Sequence, residues 1–239
     1  MATCHRPKGL SERASVKVTV IDYGMGNLRS VAKALESAAP AGTRVCVSAD
    51  PADIHDADRV VLPGQGAAAA CVAAIDGCGL RSPILAAIDA KPFLGICMGL
   101  QVLFDHSAEN GGVDCLGVVP GVVSAFPAGV ADPDTGESLT VPAMGWNRVA
   151  QRPHPLWDGI DNRSHFYFAH SYVTQPADAA ITVGESVYGA AFTSAIARDN
   201  LFACQFHPEK SATQGLKLLG NFLRWTVSAG VRDAIDTGD

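Results

Sequence analysis

The sequence predicts a doubly wound α/β sheet, on three observations. The first half alternates short β-branched runs with helical stretches, the pattern of parallel strands covered on both faces. After Gly111-Gly112 the texture changes to strand-like pieces separated by turn residues, which predicts an added antiparallel section. With 48% hydrophobic and 18% charged residues, a chain of 239 residues can bury a full core and is most simply one domain.

In chain order, Val16 to Ile21 is a β-branched run, and Gly24-Met25-Gly26-Asn27 turns into a helix with the apolar stripe Leu28, Val31 and Leu35. Arg44 to Ser48 and Arg59 to Leu62 predict two more strands, Ala67 to Ile75 and Pro83 to Ala90 two helices. Phe93 to Ile96 is a buried strand that turns sharply at Cys97 into an apolar helical pattern through Met98, Leu100, Val102, Leu103 and Phe104. Strand-like pieces follow at Val118 to Phe126, Leu139 to Val141, His165 to Val173, Ile181 to Val187 and Ala190 to Ile196. Loops are expected at Asp132 to Gly136 and Arg152 to Pro155. Leu201 to His207 predicts a last strand, and Thr213 to Val227 a closing amphipathic helix through Leu216, Leu219, Phe222 and Leu223.

Composition excludes several classes. Asp and Glu outnumber Lys and Arg 24 to 18, so a net charge of −6 gives no general attraction to nucleic acid or anionic membrane. Seven scattered cysteines, none in a C-x-x-C arrangement, argue against a metal cluster or disulfide framework and fit a reducing cytosol. No metal or cofactor is expected. Residues 1–15 hold no apolar run that could form a signal-peptide core and read as a flexible leader to a domain over 16–239.

The chemistry centres on Gly95-Ile96-Cys97-Met98-Gly99, a nucleophile elbow with Cys in place of Ser. Most cysteines are simply small buried hydrophobes. Flanking glycines and the strand-then-helix setting favour a nucleophile here, provided a base is at hand. His207, at the carboxyl end of a strand, supplies an imidazole, and Glu209 a carboxylate to orient it. The Gly64-Gln65-Gly66 loop and the Met98 N–H can offer backbone donors to an oxyanion. That loop and Gly24-x-Gly26 also resemble partial dinucleotide patterns, but no acidic residue ends a second strand about twenty positions on, and a nucleotide site is discounted.

LPGQG, PFLGICMGLQVLF and FHPEKS, in that order and spacing, resemble the class I glutamine amidotransferases over about residues 16 to 228. Within that family IDYGMGNLRSV, PAMGWNRV and HFYFAHSYV are similar to the branch that serves imidazole glycerol phosphate synthases in histidine biosynthesis. The resemblance implies a flavodoxin-like glutaminase domain, with Cys97 as nucleophile, His207 as proton carrier and Glu209 orienting it. It further implies that glutamine is held by Gly64, Gln65 and Gly66, by Gln101 and Glu109, and by His170, Ser171 and Tyr172. Ammonia would pass to a separate cyclase subunit with a TIM-type barrel, faced by Asn27, Met144, Trp146, Tyr167 and Lys210. Two positions depart from the family pattern: Gln65 replaces a small apolar residue, and Ala143 a His. Rival readings are a class I glutaminase of a different synthase, a catalytically silent module on the same fold, and another cysteine hydrolase.

Overall fold

The structure, a computed structural model, describes residues 16–226; the expected leader over 1–15 lies outside the described residues. The first half runs β1 (Lys17–Ile21), α1 (Leu28–Ala38), β2 (Arg44–Ser48), α2 (Pro51–His55), β3 (Arg59–Gly64), α3 (Ala68–Gly77), α4 (Arg81–Ala90), β4 (Phe93–Cys97) and α5 (Met98–Gln101). Then come β5 (Phe104–Ser107), β6 (Val113–Asp114), β7 (Val119–Ala125), β8 (Ala143–Arg148), β9 (Ala150–Gln151), β10 (His165–His170) and β11 (Tyr172–Pro176). β12 (Thr182–Tyr188), β13 (Ala190–Arg198), β14 (Leu201–Cys204) and α6 (Ala212–Arg224) complete the chain.

One large sheet has the order β2-β1-β3-β4-β14-β13-β11-β7-β5-β6, with β12 and β9 branching from β13. Pairing is parallel from β2 to β14 and antiparallel from β14 through β13 and β11 to β7. The predicted doubly wound sheet and its antiparallel extension are both present. A separate two-stranded ribbon joins β8 to β10.

Alternation along the strands explains the two covered faces. In β1, Val18 and Val20 join the apolar layer under α1 and α6, whereas Ile21 joins the layer under α3 and α4. In β4, Leu94 and Ile96 take the first face and Phe93 the second. α6 contributes Leu219 and Phe222, both fully buried, each stabilising the fold by about 1.5–3 kcal/mol. Asn27 caps α1 by accepting from the Ser30 N–H at 3.3 Å, so its side chain serves the helix entry. No single described helix is long and apolar enough to cross a membrane; α3 and α4 pass only together and are bent 96° apart.

Two expectations are corrected. The helix after Cys97 stops at Gln101, and Phe104 opens β5, which pairs with β7. Leu100, Val102, Leu103 and Phe104 are all fully buried, and an apolar run buried on every side carries no period that separates helix from strand. Leu139 to Val141 is not a strand: the only ladder contact there is an isolated bridge between Ala131 and Ser138, and Pro142 follows with no N–H to extend pairing. The sequence also passed over α2, whose Asp50 accepts from Ala52 N–H at 2.8 Å while Pro51 sits at the first helical position.

Candidate active site

Three neighbouring strands deliver the site. β3 ends at Gly64 opposite Cys97, the last residue of β4, while β14 pairs Cys204 with Ile96 and leads into His207. Cys97 has φ +56°, a costly value for a residue with a side chain, as expected of a strained elbow. The turn closes only because Gly95 and Gly99 carry no Cβ: one on Gly99 would overlap the Leu62 carbonyl, and one on Gly95 would lie 2.5 Å from Gly99 O.

His207 Nδ1 lies 2.9 Å from Glu209 Oε1, with both side chains nearly inaccessible to solvent, and the ring lines the same cavity as Cys97, near enough for the thiol to bear on its titration. His207 N donates to Tyr167 O at 2.9 Å, and Ser211 Oγ donates to His207 O at 2.6 Å, which fixes the ring's backbone. Burial alone would lower the imidazole pKa, but the hydrogen bonds and charges of Cys97 and Glu209 outweigh it and raise it to about 9. The imidazolium is thus favoured in the folded chain over the unfolded one, where it titrates near 6.5. That stabilisation is complete below about pH 6.5 and is lost as pH rises through about 9. Melting temperature is therefore expected to fall more steeply with pH across this window in the wild type than in His207→Gln; parallel curves would contradict the pairing.

A cavity of about 270 Å³ opens over Cys97 and His207. Gln65, Gly66, Met98 and Gln101 line one side, Glu109 another, and His170, Ser171 and Tyr172 a third. Thus every substrate-binding residue expected from the sequence meets there except Gly64, which is packed beneath, against Tyr23 and Met98. Met98 N–H, at the first position of α5, has no acceptor within its helix. Glu109 has a structural task as well, since its Oε2 accepts the Ala68 N–H at 2.6 Å and caps α3, whose own Ala67 cannot. His170 is buried, with its pKa lowered by that burial to about 4, so it is neutral; Nδ1–H donates to Tyr172 O at 2.8 Å and Nε2 has no partner.

Of the residues expected to face a partner, Met144 and Trp146 on β8 are well exposed, at 67% and 54%. Tyr167 stacks edge-on to Trp146 at 6.1 Å, and Lys210 Nζ lies 5.7 Å above the Tyr167 ring while also lining the cavity.

Sequence reasoning missed Tyr23 and Cys71, which hold the 64–66 loop from below. Tyr23 Oη donates to Pro63 O at 2.9 Å and Cys71 Sγ to Gln65 O at 3.4 Å. Tyr23 stood in a quoted motif and Cys71 among the alanines of α3, but nothing in either pattern pointed to the loop. Tyr23→Phe leaves the Pro63 carbonyl unpaired and is expected to cost about 1–3 kcal/mol in urea unfolding.

The model of the family described as glutamine amidotransferase class-I matches residues 19–225. The chain belongs to the class I glutamine amidotransferases. It is 57% identical to the imidazole glycerol phosphate synthase subunit HisH of Aromatoleum aromaticum, over 87% of this chain and 98% of that one. The same subunit of Dechloromonas aromatica is also 57% identical, over 89% and 98%. Among solved structures, a crystal structure of a glutamine amidotransferase superposes with a TM-score of 0.65 at 16% identity, over 87% of this chain and 97% of that one. PurLQS from Thermotoga maritima gives 0.64 at 19%, over 88% and 98%. At these identities the likeness to the two solved structures is one of fold, shared by a class I amidotransferase whatever its partner.

Proposed function

We propose that this chain is the glutaminase subunit of an imidazole glycerol phosphate synthase, acting in histidine biosynthesis. The observation that carries this reading is Cys97 beside a His207 that is itself held by Glu209, with Cys97 and His207 lining one cavity. Its support is the 57% identity to synthase subunits over nearly their whole length.

The Cys97 sulfur attacks the side-chain amide carbon of glutamine, and backbone donors at Met98 and the 64–66 loop receive the oxyanion. The imidazolium of His207 gives its proton to the amide nitrogen as the carbon–nitrogen bond breaks, releasing ammonia and leaving a glutamyl thioester. Water then attacks the thioester, His207 takes its proton, and the carbon–sulfur bond breaks to release glutamate and restore the sulfur anion beside the imidazolium. Gln101, Glu109 and the 170–172 segment hold the rest of the substrate, with Glu109 suited to an α-ammonium. Ammonia passes to a cyclase subunit with a TIM-type barrel, docked on Met144, Trp146, Tyr167 and Lys210 and on Asn27 at the start of α1.

The test is glutamine hydrolysis by the purified chain, alone and with the cyclase subunit plus its ribulosyl phosphate ligand. Low activity alone and large stimulation by the pair is the expected result. Activity indifferent to the cyclase would move the glutaminase to another synthase, and none under any condition would favour the silent module.

A further inference from the structure

Gln205 is fully buried directly after β14, and its backbone N–H is taken by Ser194 O at 2.9 Å. Its side chain lies between two residues of the site. Nε2 is 3.6 Å from the Cys97 sulfur, and Oε1 accepts from Gln101 Nε2 at 2.9 Å. Gln101 Nε2 reaches Tyr172 O as well, at 3.5 Å.

The two ends of a carboxamide have the same shape, so only fixed partners can say which end donates. Here one partner is fixed: a backbone carbonyl can only accept. Tyr172 O therefore holds the nitrogen of Gln101 on its side. That nitrogen, donating onward, calls for the oxygen of Gln205, and the opposite end of Gln205 must then turn its N–H to the sulfur. The direction of the chain is set from the Tyr172 carbonyl to Cys97.

The geometry points to Gln205 as a further catalytic residue, an obligate N–H donor to the Cys97 sulfur whose orientation is imposed by Gln101 and the Tyr172 carbonyl. The inference rests on the reading of Cys97 as nucleophile. Gln205 and His207 then both serve the sulfur, and they differ in kind. His207 can give up its proton to the departing nitrogen, whereas a carboxamide N–H cannot, so Gln205 goes on supporting the sulfur anion while His207 moves the proton. A donor fixed in a dry site also points the anion without reorganising during the reaction. The same polarity leaves Gln101 Oε1, buried and without a partner, as an acceptor for an N–H donor that enters the cavity.

The experiment follows alkylation of Cys97 by iodoacetamide against pH, read by mass spectrometry on the peptide that carries it, in the wild type, Gln205→Met, Gln205→Glu and Gln101→Glu. Glutamine hydrolysis is measured on each with the partner subunit, and circular dichroism melting reports the fold. In Gln205→Met the pH of half-maximal alkylation rate should rise by about one unit, and kcat should fall roughly 10- to 100-fold with KM changed far less. Gln205→Glu should rise further, because its carboxylate meets the sulfur with a negative charge. Gln101→Glu should raise it too, although Gln205 is untouched, because the new carboxylate takes the Gln205 N–H and turns its oxygen to the sulfur. This last variant decides the matter should the Gln205 substitutions fail to fold. An alkylation profile that stays in place in folded Gln205→Met or in Gln101→Glu would overturn the inference while Cys97-dependent hydrolysis in the wild type stood. Wild-type hydrolysis that survives Cys97→Ala would overturn the proposed function along with it.

Discussion

Cys97→Ala is expected to lower glutamine hydrolysis by at least about 10⁴-fold, the scale on which loss of a nucleophile acts in hydrolases of this kind. Alanine keeps the Cβ, so the elbow at φ +56° is no more strained than before, and the cavity above it keeps its lining. What disappears is one sulfur and the acceptor it offered to Gln205. The fold should notice little, with unfolding free energy changed by about 1 kcal/mol. Ammonia release with the cyclase present, beside a thermal melt, separates these effects. Retention of more than about one-hundredth of the activity would sink the nucleophile assignment.

Gly99→Ala is expected to fail at the level of folding. The added Cβ would overlap the carbonyl oxygen of Leu62, which belongs to the backbone of β3 at the centre of the sheet, and no side-chain rotation relieves it. Either α5 lifts from β3 or the ladder between β3 and β4 opens, at a cost above about 4 kcal/mol. Gly24→Ala is the control: its φ of +84° strains an added side chain, but its Cβ meets open space, and about 1 kcal/mol is expected. Urea unfolding of the two variants against wild type measures the contrast, and a Gly99→Ala protein as stable as Gly24→Ala would show that α5 does not need this close approach.

Much of this site was legible because local patterns carried it. LPGQG, GICMG and FHPE each announce a strand end followed by a turn, and parallel pairing brings such ends to one edge. The remainder depended on distance. Gln205 stood inside the strand expected over Leu201 to His207, yet its task exists only because Gln101, remote in the chain and held by the Tyr172 carbonyl, presents a donor to it. Glu109 was expected to hold glutamine, and the structure adds a cap on α3 that no spacing discloses. The end of the helix after Cys97 was misjudged because a run buried on all sides has no period. α2 could have been found, since Asp50-Pro51 is a helix-start signal, but five residues are too few to show a stripe.

The placement of β14 has a consequence for the chain as it is made. This strand lies between β4 and β13 and carries the segment with Gln205, His207 and Glu209, yet it is the last strand to leave the ribosome. Until it inserts, the parallel half of the sheet and the antiparallel extension have no ladder joining them, and the thiol has neither base nor amide beside it. The proposed catalytic set is thus assembled in the same event that unites the sheet. A nascent or truncated chain that stops short of this strand has Cys97 without His207 and Gln205 beside it, so the chemistry proposed for this site waits on completion of the sheet.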